Sequence, residues 1–137
     1  MHKKPVFTII IIIFILCTSC STNTNNMEVV SSNIFNDATC TTLNLTIILN
    51  SRTCSDYTAC ANEIIQHCID NSFENIFFSY DKGYPNSLTA DIYLSTKDLK
   101  NGNVLFRIDY VPENVNKNYN IYDNNEKYIL KIKKSND

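Results

Sequence analysis

The chain predicts an α+β domain: an antiparallel sheet of about four to six strands with one amphipathic helix packed on one face, in the order β-α-β-β-β(-β). Three observations predict it. Residues 42–50 alternate apolar and polar side chains, the period of a half-buried strand. Residues 56–70 repeat apolar side chains at helical spacing. Beyond them, short alternating runs recur between turn residues, and strands joined by short loops pair antiparallel. A sheet with one apolar face must be covered, and the single amphipathic helix is the element available to cover it.

Taken in order, residues 42–50 place Leu43, Leu45, Ile47 and Leu49 on one face and Thr42, Asn44, Thr46 and Asn50 on the other. Ser55 or Asp56 caps the helix, because either side chain can accept from amides that lack a partner in the first turn. The helix then runs to Asp70 or Asn71, with Tyr57, Ala61, Ile64, Ile65 and Cys68 as its apolar stripe. Three strands follow: Asn75 to Tyr80, Leu88 to Ser95, and Val104 to Val111. The linker Asp81 to Asn86 turns at Gly83, where positive φ costs nothing. The linker Lys97 to Asn103, closed by Gly102, has room for one helical turn. Residues 111–118 read as a loop, and Tyr119 to Tyr122 with Tyr128 to Ile132 read as one or two final strands. Near the front, Met27 to Ile34 either adds a short strand or packs loosely.

The first 20 residues have a different character. Lys3 and Lys4 precede an almost unbroken apolar run from Val6 to Leu16, and the small residues Thr18, Ser19 and Cys20 close it. Basic, apolar, small is the order of a secretory signal peptide. The run is shorter than the roughly 20 residues that cross a bilayer as a helix. Thr18-Ser19-Cys20 resembles the lipobox of bacterial lipoproteins, with Leu16 one place earlier than that family's usual leucine. The resemblance implies cleavage before Cys20, acylation of its thiol, and a membrane anchor on the extracytoplasmic face of the cell membrane. The expected division is therefore a signal peptide over 1–19, a lipidated cysteine and flexible tether over 20–39, and a small α+β domain over 40–137.

The net charge is −2 for the whole chain, and the leader takes away two lysines and no acids. An acidic mature chain has no electrostatic footprint for nucleic acid. Its basic cluster, Lys127, Lys131, Lys133 and Lys134, reads as a solvated strand edge. The partners expected are the membrane, through the lipid, and an envelope protein or wall polymer.

With Cys20 acylated, Cys40, Cys54, Cys60 and Cys68 remain, and four cysteines allow three pairings. Cys60 and Cys68 are about 12 Å apart along a helix, and Cys54 and Cys68 about 20 Å. A bridge needs Cα atoms within about 7 Å. That leaves Cys40–Cys68 with Cys54–Cys60, although Cys40 shares the parity of the strand's polar face. No metal site is expected, because His67 beside Cys68 lacks the paired spacing of zinc ligands. No cofactor is expected either, since so few glycines offer no phosphate-cradling loop.

Tyr80, Tyr84 and Tyr93 are the candidate binding surface, because tyrosine combines contact area with a polar tip at low entropic cost. Asp91 and Asp109 project from the outer side of adjacent strands with Arg107 nearby, as on a solvated face. No catalytic set is spelled out. The expected role is a non-catalytic binding or accessory module of the bacterial envelope. The alternatives are a thiol-dependent enzyme or redox protein, and an inhibitor or accessory subunit of an envelope enzyme.

Overall fold

A computed structural model describes residues 27–51 and 53–135. The expected leader and Cys20 lie outside these residues. In chain order the elements are β1 (Glu28–Asn36), β2 (Thr41–Ile48), α1 (Tyr57–Asp70), β3 (Ser87–Tyr93), α2 (Thr96–Asn101), β4 (Phe106–Pro112) and β5 (Tyr128–Lys134), with a 3-10 turn at Asn125–Lys127 before the last strand. The five strands form one sheet in the order β1-β2-β3-β4-β5.

The α+β class holds, but the sheet is mixed rather than antiparallel throughout, and its strands differ in detail from those expected. β1–β2, β3–β4 and β4–β5 are antiparallel, whereas β2 and β3 run parallel, with Leu43 opposite Leu88 and Ile47 opposite Ile92. The cause lies in residues 75–80, which were expected to form a strand and do not. Their backbone is taken up elsewhere: the Asn71 carboxamide accepts from Phe78 N at 2.8 Å and donates to Phe78 O at 2.7 Å. With that strand removed, the chain passes from α1 to β3 in the direction of β2. Parallel neighbours need a crossover connection of this kind.

Other boundaries also move. Of Met27 to Ile34, left open between a strand and loose packing, all but Met27 belongs to β1, so the folded unit reaches into the span 20–39 given to the tether. The turn expected within 97–103 is α2, capped by Ser95 and ended at Gly102 with φ 70°. Tyr119 to Tyr122 is not a strand; Ile121 is buried in the core and Tyr122 is exposed.

α1 forms as read. Asp56 caps it by accepting from Ala59 N at 2.9 Å, and Asn71 ends it in the left-handed conformation with φ 54°. Ala61, Ile64, Ile65, Cys68 and Ile69 face Leu43, Leu45 and Ile47 of β2, Leu88, Ala90 and Ile92 of β3, and Phe106 and Ile108 of β4. The other face of the sheet is polar. Arg107 grips Asp91 through two bonds of 2.6 and 2.9 Å, and Lys133 meets Asp109 at 2.8 Å. Among the described residues, no helix is long and apolar enough to cross a membrane.

Candidate functional site

The tyrosines gather at the edge of the sheet where β1 ends. Gly83, with φ 97°, lets its amide bond Tyr80 O at 2.8 Å, and this tight turn folds Tyr84 back onto Tyr80. The two rings lie 4.4 Å apart, and Tyr122 stacks on the far side of Tyr84 at 4.5 Å with the planes 10° apart. Tyr80 is anchored below by its hydroxyl, which donates to Cys68 O at 2.7 Å at the end of α1. Burial, with Cys68 and Tyr84 nearby, pushes its hydroxyl well above the ordinary phenol value, so it stays a neutral donor.

Beside this stack lies a groove of about 370 Å³. One wall is Ile34 and Asn36 of β1, the floor is Leu43, and the other wall is Phe78, Tyr80 and Tyr84. Asp81 and Lys82 also line it. Ile34 is 56% exposed although it points to the helix side of the sheet, because α1 does not reach over this part of β1. Of the three tyrosines singled out in the sequence, the structure brings together Tyr80 and Tyr84. Tyr93 is not part of the cluster: it pairs with Ile48 and is 9% exposed on the opposite face. Tyr122 was missed, because its position depends on a loop with no periodic signal.

The four described cysteines are free thiols. Cys40–Cys68 is not brought together. Cys68 is fully buried between α1 and the sheet, while Cys40 Sγ lies 3.7 Å from Ser87 Oγ and 3.9 Å from Thr42 Oγ1, toward the polar face. The strand parity that argued against this pairing decides the matter. Cys54 and Cys60, by contrast, line one cavity at the start of α1, although no bridge joins them. Burial, then the neighbouring Cys54, pushes the Cys60 thiol up to about 12. Burial alone pushes Cys68 far above the ordinary thiol range.

His67 does not serve a thiol. Its Nδ1 lies 2.8 Å from Ser72 Oγ and its Nε2 3.8 Å from Glu63 Oε1. This has the order of a serine, histidine and acid relay, but it lies along one helix and its end. Neither Ser72 nor His67 lines the tyrosine groove or the cavity at the start of α1. Asp91 and Asp109 are each tied to a cation, as expected of a solvated face.

The fold and its surface thus define a small α+β module with an aromatic groove at one sheet edge. Comparison with protein-family models, curated proteins and solved structures finds no match.

Proposed function

We propose that this chain is a lipoprotein acylated at Cys20, held by that anchor on the extracytoplasmic face of the cell membrane. There it acts as a non-catalytic binding or accessory module of the envelope. The leader supports the anchor. The observation that carries the binding role is the stack Tyr80–Tyr84–Tyr122 beside the groove against β1. Tyrosine faces and an apolar floor supply contact area, and Asn36, Asp81 and Lys82 supply hydrogen bonds that fix orientation. An envelope protein segment or a wall polymer has the matching chemistry.

Two measurements test this. Labelled palmitate should enter the wild-type chain and not Cys20→Ala, and Cys20→Ala should leave the membrane fraction. Crosslinking on intact cells should yield a defined adduct that Tyr122→Ala and Tyr84→Ala lose and Thr89→Ala, on the opposite face, keeps. Label that persists without Cys20 would overturn the anchor, and adducts indifferent to both tyrosines would overturn the groove.

A thiol-dependent activity is the second reading, and the neighbouring Cys54 and Cys60 favour it. Cys68 cannot contribute, being sealed in the core.

A further inference from the structure

The main chain of β1 carries chemistry of its own beside the tyrosine groove. Thr41 turns both of its main-chain groups away from β1: its amide donates to Asn86 Oδ1 at 2.8 Å, and its carbonyl accepts from Asn86 N at 2.7 Å. Asn36 lies opposite Thr41, so the main-chain groups of Asn36 point away from β2. Antiparallel ladders alternate, and the same holds at Ile34 and Ser32, opposite Leu43 and Leu45. Past the register shift between Val29 and Ser31, Val29 faces outward too. There the Asn75 side chain accepts from the Val29 amide at 3.1 Å and donates to its carbonyl at 2.9 Å. A carboxamide, the side-chain counterpart of a peptide group, thus already fills the first place on this edge. Among the described residues β1 is the last strand on its side of the sheet, and Ser32 to Asn36 carry no charge. Their outward pairs repeat roughly every 7 Å, the two-residue period of an extended chain.

We propose that the occupant of this edge is an extended segment of another envelope protein, added to the sheet as a further strand along Ser32, Ile34 and Asn36. The inference rests on the groove being the binding site, and it names what binds there. Donors and acceptors alternating at strand spacing match a polypeptide backbone, whereas a glycan has no main-chain ladder of that period. Cross-strand partners share a face, so the incoming residue opposite Ile34 stands at the β1 wall of the groove. A long apolar side chain there lies toward Tyr80 and Tyr84, and its neighbour on the other face meets the exposed Phe35. A strand folding back from Met27 would meet Val29 first, where Asn75 is already paired. A second copy could overlap only from Ser32 to Asn36, between Asn75 and the turn that Asp37 N closes on Cys40 O. So short an overlap falls below the roughly 1,200 Å² that a stable protein interface buries. A free segment can run on past Asn36 along the groove.

The test uses the full chain on intact cells, with p-benzoylphenylalanine in place of Phe35. Irradiation should give a defined adduct, and the same group in place of Lys133 on β5 should not form it. Muramidase should leave the adduct's mass unchanged, and peptide mass spectrometry should place the crosslink on a segment of a different protein. Proline at an outward position removes the N–H and leaves the bonds to β2 in place. Ser32→Pro and Ile34→Pro should each lower the yield about tenfold, the effect of stranding a partner's carbonyl, whereas Ser32→Ala and Ile34→Val should keep it. Circular dichroism establishes that the variants fold. Hydrogen exchange on the purified adduct reads the same bonds without a proline: the Ile34 and Asn36 amides should slow about tenfold or more against the free chain. An adduct lost in Tyr84→Ala but kept in both proline variants, with those amides unprotected, overturns strand addition and leaves the groove standing. An adduct indifferent to Tyr84→Ala and to the prolines overturns both. A crosslink to wall polymer, to a second copy or to the residues ahead of β1 overturns the choice of occupant, and so does the lack of any adduct.

Discussion

At Asn71, Asn75 and Asn86 the side-chain carboxamide does the work of a peptide group. It offers one acceptor and two donors on a plane, as the backbone amide does in simpler form. Asn71 pairs with both main-chain groups of Phe78. Asn75 pairs with both groups of Val29, at 3.1 and 2.9 Å. Asn86 accepts from Thr41 N at 2.8 Å and donates to Tyr119 O at 2.7 Å. Asn75 and Asn86 hold the long connection of residues 71–86 to β1 and β2, and Asn71 folds it on itself. Asn71→Ala should therefore cost about 1–3 kcal/mol in urea denaturation, the range for stranding part-buried polar groups. Asn71→Gly should cost less, because glycine keeps the left-handed conformation without strain.

A second residue-scale prediction concerns the turn between β1 and β2. Asp37 accepts from Thr39 N at 2.8 Å, Thr39 Oγ1 at 3.1 Å and Cys40 N at 2.7 Å. These bonds, the backbone one from Thr39 foremost, hold its carboxyl below the ordinary value of 3.8. A depressed folded-state pKa gives stability that is present above the unfolded value and lost as pH falls through the folded one. Asp37→Ala should lower the thermal midpoint at pH 7, and the gap should narrow on acidification below 3.8. None of this was legible in the sequence, where abundant asparagine reads only as composition. A carboxamide that ties distant backbone leaves no periodic trace.

At the scale of elements, legibility followed packing. The helix expected over 56–70 is found at Tyr57–Asp70, because its stripe meets the sheet as the spacing demands. The strand read over 42–50 and those read over 88–95 and 104–111 are likewise present as β2, β3 and β4. Residues 75–80 alternate just as well, but an alternating run specifies a strand only when a neighbour offers its backbone. Here β1 closes the sheet on that side, and Phe73, Phe78 and Tyr80 pack ring on ring instead. Ile64 marks where the helix matters most, being fully buried on the stripe. Ile64→Ala should lose about 2–5 kcal/mol, as large-to-small core substitutions do. Gln66→Ala, on the exposed face, should lose far less, and far-UV circular dichroism with urea would read both.

At the scale of the whole molecule, the two edges of the sheet are treated differently. β5 carries Lys131, Lys133 and Lys134, and lysine on an edge strand discourages pairing with another chain. β1 carries no lysine and exposes Val30, Ile34 and Phe35 at 45, 56 and 62%. Asn75 occupies the main chain at Val29 and leaves the stretch beyond it to whatever fills the groove. One open edge has a definite consequence for association. Two copies that pair through β1 bury the one edge without lysine among the described residues in a two-fold contact, so growth stops at a dimer. Opening the second edge removes that stop, because each copy could then pair on both sides. Concentrated wild-type chain should go no further than a dimer in light scattering, and Ile34→Lys should reduce even that. Lys131→Thr with Lys133→Thr should instead give open-ended aggregates that grow with concentration, and adding Ile34→Lys should return them to closed species. Large aggregates from the wild type, or none from the lysine pair, would show that the edges do not govern assembly.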